Sequence, residues 1–237
     1  MLGAVAPPRL LTALRDLVIP SACAVCDMPG DPLCPACIRV LAPPQGPCCA
    51  RCGHPWHHDV PTCAECPPGL TWVRHALQYD PAVARVMGAL KDAGRRALAD
   101  PLAALMCASI AHPGPGAVLV PVAQSPDRRR ERGFNQAALL ATGLAREWGL
   151  PVHDALTRAD GPRHQRGSSR AERLQQVPGA FASIGRAPHH AVLVDDVLTT
   201  GATLSAAARA LRGAGCARVG AVVTARVVLA GRATRVG

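Results

Sequence analysis

Residues 191–203 read Ala191-Val192-Leu193-Val194-Asp195-Asp196-Val197-Leu198-Thr199-Thr200-Gly201-Ala202-Thr203, an apolar run that meets two acids and passes into a hydroxyl-rich turn. The β-branched residues of 191–194, ended abruptly by charge, predict a short buried strand of a parallel sheet. Ala-rich residues 205–212, closed by Gly213, predict a helix. Between strand and helix, residues 199–203 would aim backbone N–H groups and hydroxyls at one point. The positive end of the helix dipole lies behind them, which favours a phosphate there. Gly201 lets the backbone approach closely.

Paired acids beside a phosphate loop look repulsive until the ligand is a ribose 5-phosphate. Ionised Asp195 and Asp196 only accept hydrogen bonds, and the 2- and 3-hydroxyls of ribose donate them one sugar-length from the phosphate. The same residues would also make an unliganded strand, an Asx-type turn and a Thr-capped helix. A cap needs one acid or hydroxyl, whereas this segment supplies five. Neither a G-x-x-x-x-G-K-[ST] loop nor a strand followed by G-x-G-x-x-G occurs, so the common nucleotide motifs are excluded.

Working outward, a chain of 237 residues accommodates a main domain and a small module. Aromatic residues make up 3% of it, so the core must be built from Ala, Val and Leu. The formal net charge is +10, and Lys91 is the sole lysine among 26 basic residues. Such an arginine excess favours anionic partners, either a pyrophosphate-bearing small molecule or nucleic acid. No apolar stretch approaches the roughly 20 residues that span a bilayer, so no membrane insertion is expected. Residues 18–23 are faintly similar to a lipoprotein cleavage site, but Arg15 and Asp16 interrupt the apolar segment before it. Leu10, Leu11, Leu14, Leu17 and Val18 share one helical face, which predicts an amphipathic helix within residues 1–20.

Eight of the 11 cysteines form C-x-x-C pairs: Cys23/Cys26, Cys34/Cys37, Cys49/Cys52 and Cys63/Cys66. Each pair offers two thiolates along one tetrahedral edge, so four pairs satisfy two all-cysteine Zn2+ sites. Sequential pairing gives Cys23, Cys26, Cys34 and Cys37 for one ion and Cys49, Cys52, Cys63 and Cys66 for the other. A cross-braced pairing, first with third, has the same spacing within each pair, and both remain open. Four thiolates leave no position for water, so the zinc would be structural. The stretch 21–68 has few large apolar side chains and several prolines, too little for a core without metal. Cys48 is surplus, His54, His57 and His58 read as solvated, and Cys107 and Cys216 as buried. Thiol-rich sites of this kind suit a cytoplasmic setting.

Residues 117–122 predict a second buried strand with an irregular exit at Pro121, and ligands in open α/β sheets gather at such carboxyl ends. Beyond it, Ser125-Pro126-Asp127-Arg128-Arg129-Arg130-Glu131-Arg132-Gly133-Phe134-Asn135-Gln136 opens a helix expected to run to about Trp148. This basic run would hold pyrophosphate or form a solvated charged face. Residues 160–180 are polar and basic, which suits either a flap over the site or a surface loop. A last strand is expected at 219–225.

The 191–203 run resembles the signature of the type I phosphoribosyltransferases. The resemblance sharpens with Arg130-Glu131-Arg132-Gly133-Phe134-Asn135-Gln136, followed by Gln165, Ser169, Arg170, Arg173 and Gly179-Ala180-Phe181. Together with the cysteine array, these residues look like the ComF family, also called competence protein F or amidophosphoribosyltransferase-like proteins. The resemblance implies an α/β fold, a mostly parallel sheet flanked by helices, with a small N-terminal zinc-ribbon module. The resemblance covers roughly residues 15–227, and the chain is expected to divide into a helix at 1–20, a double zinc ribbon at 21–70, a phosphoribosyltransferase domain at 71–230 and a tail at 231–237. Asp195 and Asp196 would hold the ribose, and Thr199, Thr200, Gly201, Ala202 and Thr203 the 5-phosphate. Lys91 follows the family's Tyr-Asp motif, here Tyr79-Asp80, and with Arg130 would contact anion. Arg132 would assist departure of pyrophosphate, with Mg2+ as cofactor.

Where the family commonly reads P-V-P-L-H-P, this chain has Pro121-Val122-Ala123-Gln124-Ser125-Pro126, so any role of that histidine is lost. Two functions follow from the resemblance. One is binding of phosphoribosyl pyrophosphate, with transfer of the phosphoribosyl group to an acceptor. The other is a non-catalytic accessory role in natural transformation, through single-stranded DNA and the DNA-uptake machinery. Few aromatic rings are available for base stacking in the second.

Overall fold

A computed structural model describes residues 22–41, 43–56, 58–158 and 180–228. The helix expected within 1–20, the tail 231–237 and all of the 160–180 segment except Ala180 lie outside the described residues, as does His57. In chain order the elements are α1 (Pro35–Val40), β1 (Trp72–Gln78), α2 (Pro81–Lys91), a 3-10 turn (Arg96–Leu98), α3 (Ala99–Ser109), β2 (Val118–Pro121), α4 (Pro126–Arg132), α5 (Gln136–Trp148), β3 (Leu156–Arg158), β4 (Phe181–Ser183), β5 (His190–Leu198), α6 (Ala202–Gly213) and β6 (Arg218–Arg226).

The expected parallel sheet is present, with strand order β1-β6-β5-β2. Successive side chains of a strand point to opposite faces, and the apolar clusters follow that alternation. Val192 and Val194 face one cluster with Val83, Met87, Leu102 and Leu140 of α2, α3 and α5. Ala191 and Leu193 face another with Leu204, Ala207 and Leu211 of α6. Both faces of β5 are therefore covered, which explains why its sequence is a continuous apolar run rather than an alternating one. The core is built largely of Leu, Val and Ala, as the low aromatic content requires.

Three elements differ from expectation. β5 does not stop before the acids; pairing with β6 continues through Asp195↔Val223 and Val197↔Ala225 to Leu198↔Arg226. α6 begins at Ala202 rather than 205, so Ala202 and Thr203 lie in its first turn. The single helix expected from about 125 to 148 is two helices. Gly133, at φ 71°, closes α4 in the left-handed region that favours glycine, and Asn135 then caps α5 by accepting from the Ala137 N–H at 3.0 Å.

β3 and β4 form a separate antiparallel pair, with Arg158 opposite Phe181. Among the described residues no helix is long and apolar enough to cross a membrane.

Candidate functional site

β2 ends with Pro121 opposite Val194, so Asp195 and the residues after it run on beside β6 alone. At that point the N–H of Asp196 donates to Asp195 Oδ1 (2.9 Å) and the N–H of Val197 to Asp196 Oδ1 (2.8 Å). The carboxylates thus satisfy backbone groups where the neighbouring strand has stopped. A cavity of about 370 Å3 opens there, at the carboxyl end of β5. This is where open parallel sheets place ligands.

Asp196 is buried and Asp195 half-buried. Lys91, the last residue of α2, extends its Nζ to 2.5 Å from Asp196 Oδ2. Gln136, at the start of α5, donates its Nε2 to the same oxygen at 3.4 Å, and accepts in turn from Gln124 Nε2. Burial pushes the Asp195 carboxyl up to about 6, against the opposing pull of Lys91 and Arg158. Burial also lowers the Lys91 ammonium from its ordinary value, while Asp195 works to raise it. These groups confront one another across a small volume, and a ligand carrying both anionic and donor groups would engage both signs of charge.

Of the sequence candidates, Asp195, Asp196, Lys91, Arg132 and Thr203 line the cavity. Arg132 also reaches Asp92 at 3.2 Å. Gly201 is buried at φ 76°, Ala202 is half-buried, and Thr199 and Thr200 are exposed in the turn leading to α6. Arg130 is not brought to the cavity. It lies on the exposed side of α4 and pairs with Asp127, because one helical turn separates those two residues. Arg128 and Glu131 line the cavity from the same helix.

Sequence reasoning assigned no individual site role to Gln124, Glu131 or Gln136, and Arg158 went unremarked. Arg158 enters from β3, where it lies over the Phe181 ring 5.0 Å from its centre. No signal in the sequence marks a three-residue strand as a site wall. Gln136 had a readable signal: it follows an N-cap asparagine at the mouth of the expected crevice.

The cysteines assemble as Cys23, Cys26, Cys34, Cys37 and as Cys49, Cys52, Cys63, Cys66, the sequential pairing. A tetrahedron with Zn–S bonds of about 2.3 Å sets its sulfurs about 3.8 Å apart. The Sγ separations include 3.8 Å for Cys26 and Cys34, and 3.5 Å for Cys49 and Cys66, 3.7 Å for Cys52 and Cys63 and 3.9 Å for Cys63 and Cys66. None of the 11 cysteines is in a disulfide, and both sets fit structural zinc. Cys48 stands outside the sets, its N–H donating to Asp59 Oδ1. Cys216 is buried and Cys107 half-buried in α3. His58 is exposed as expected, but His54 is buried, packed against Trp56 with ring centres 6.2 Å apart.

A parallel sheet with an acid pair at its carboxyl edge, joined to two tetrathiolate knuckles, defines a phosphoribosyltransferase-type domain carrying a double zinc ribbon. Residues 135–235 match the phosphoribosyl transferase domain family and residues 14–67 the double zinc ribbon domain family. The DNA utilization protein YhgH of Escherichia coli O157:H7 is 31% identical over 225 residues, 86% of this chain and 96% of that protein. Competence protein ComFC of Bacillus subtilis (strain 168) is 29% identical over 195 residues, 77% of this chain and 79% of that protein. Competence protein F of Haemophilus influenzae is 37% identical over 99 residues, 40% of this chain and 43% of that protein. The chain belongs to the ComF/YhgH family.

Proposed function

We propose that the protein binds phosphoribosyl pyrophosphate together with Mg2+ at the β5 cavity and transfers the phosphoribosyl group to an acceptor. The observation that carries this reading is the opposition, across one cavity, of Asp195 and Asp196 to Lys91, Arg128, Arg132 and Arg158, beside Thr203 at the start of α6. In this reading the two carboxylates accept from the ribose 2- and 3-hydroxyls, and the turn 199–203 receives the 5-phosphate on N–H groups at the helix N-terminus. Lys91 leaves Asp196 for the pyrophosphate, which Arg128 and Arg132 also neutralise. Mg2+ prefers phosphate oxygens and water to protein carboxylates, so it would be held chiefly through the pyrophosphate and would supply stabilisation of the departing charge. The division into a ribbon at 21–70 and a transferase domain at 71–230, in a cytoplasmic setting, belongs to the same proposal.

Calorimetric titration of the zinc-loaded protein with phosphoribosyl pyrophosphate and Mg2+ tests it. Binding that is lost in Asp196→Asn and in Thr200→Ala is expected; heat that persists unchanged in both variants refutes the assigned contacts.

A second reading follows from α4, which buries no residue and leaves Arg128, Arg129 and Arg130 exposed, and from the relatives' names, which refer to competence and DNA utilization. Here the protein handles single-stranded DNA in an uptake pathway. Its mark is an affinity that falls steeply with salt and does not depend on Asp196.

A further inference from the structure

The second cysteine set touches the turn that precedes α6. Pro67 directly follows Cys66, and its ring lies against Gly201: a Cβ added to Gly201 would stand 2.7 Å from Pro67 Cγ and 2.9 Å from Pro67 Cβ. Further along, the Gly69 carbonyl accepts from Arg212 Nε at 2.7 Å, and a Cβ on Gly69 would meet Ala208 at 3.5 Å. Residues 67–69 therefore run from the N-cap of α6 to Ser205 and Ala208 in its middle, where the Arg212 side chain reaches back from the last turn. The first cysteine set lies elsewhere: Cys23 and Cys37 share their apolar cluster with α2 and α3 on the other face of the sheet.

Within the turn, Thr199 and Thr200 are exposed and Gly201 is buried. A segment with few buried contacts is held by the ones it has. N–H groups converge on an anion only if the turn is fixed beforehand, since ordering it on binding would subtract from affinity.

We propose that Pro67 is a positioning residue for the turn 199–203, so that the second zinc site, and not the first, sets the order of this turn and its affinity for anion. The affinity part rests on the phosphate assignment made under Proposed function. The positional part does not.

The experiment uses the intact, zinc-loaded protein and two readouts: hydrogen exchange across residues 199–205, and calorimetry with phosphoribosyl pyrophosphate and Mg2+. Pro67→Gly keeps every thiolate, and it is expected to speed exchange across the turn and weaken binding about tenfold each, with both zinc ions retained. Cys66→Ser, which opens the second site, is expected to do at least as much. Cys26→Ser, which opens the first, is expected to leave the turn within about twofold of wild type. Gly201→Ala places a methyl on the proline ring, so adding Pro67→Gly should partly restore the slow exchange rather than compound the defect. Unchanged exchange in Pro67→Gly overturns the proposal, as does equal loosening of the turn by Cys26→Ser and Cys66→Ser. If wild type binds no phosphoribosyl pyrophosphate but Pro67→Gly still loosens the turn, the positioning role stands and the ligand assignment fails.

Discussion

The two zinc knuckles are alike in sequence and unlike in situation. Cys23 and Cys37 join the apolar cluster on the α2, α3 and α5 face of the sheet, whereas Cys49 and Cys52 join the one on the α6 face. The polar ties differ as well. The first knuckle is joined to α2 by an exposed Arg85–Asp27 ion pair at 2.7 Å. The second is joined to the sheet by buried Arg226, whose Nη1 donates to the Cys52 carbonyl at 2.8 Å, and by Arg51, whose carbonyl accepts from the Val73 N–H of β1 at 2.9 Å. Each site thus places two ligands in a core, and the sites differ in the polar ties that join them to the domain and in the exposure of Cys26. Similar motifs therefore lead to different energetic roles.

The largest expected effect tests that difference directly. Cys52→Ser removes a fully buried ligand and with it the second zinc, and should lower unfolding free energy on the order of 5 kcal/mol. Cys26→Ser removes an exposed ligand and should cost about 2 kcal/mol. Zinc content and urea denaturation of both variants provide the comparison. Equal losses would mean that the two knuckles are energetically equivalent.

Next in size is an effect that belongs to neither knuckle and calibrates both. The folded Asp195 carboxyl stands at about 6, above its ordinary 3.8, because burial outweighs the attraction of Lys91 and Arg158. Folded protein therefore holds a proton that the unfolded chain has released between about pH 4 and 6. Stability should fall as pH rises through that window, by up to about 3 kcal/mol, and Asp195→Asn should remove the slope. Ligand binding through an ionised carboxylate runs the other way, gaining affinity as pH rises through about 6. Denaturation and calorimetry at pH 4.5 to 7.5 on both proteins separate the two trends.

Arg226→Met follows, at about 2 kcal/mol by urea denaturation, since it leaves the Cys52 carbonyl without its buried donor while keeping apolar volume. A loss near zero would mean that the tie to the second knuckle is carried by packing alone.

The acid pair was legible because two carboxylates ending an apolar run have few other uses, and the cysteine sets because thiol spacing reports knuckle geometry. The pairing of the knuckles was not, since both arrangements keep the same local spacing and only the chain path between knuckles distinguishes them. The α4–α5 break was written as Gly133 followed by Asn135, a stop and a cap, but the basic run around them masked it. Arg158 and Gln124 owe their places to tertiary packing, which periodicity does not encode. His54 was misread as solvated because a polar, histidine-rich stretch gives no sign that one of its rings is buried.

The smallest expected effect is the most discriminating for the first knuckle. Arg85 and Asp27 are paired at 2.7 Å, yet their side chains are 55% and 74% exposed, so water and salt screen the attraction and side-chain entropy opposes it. Arg85→Ala should therefore change stability by less than about 0.5 kcal/mol. Asp27 itself sits at φ 60°, a left-handed conformation that glycine adopts without cost. Asp27→Gly should consequently be neutral or stabilising by up to about 1 kcal/mol even though it deletes the pair. Urea denaturation of the two variants at low and high salt decides the matter. If Arg85→Ala costs as much as Arg226→Met, the exposed ion pair holds the first knuckle to α2 as firmly as the buried donor holds the second, and the contrast between the two ties fails.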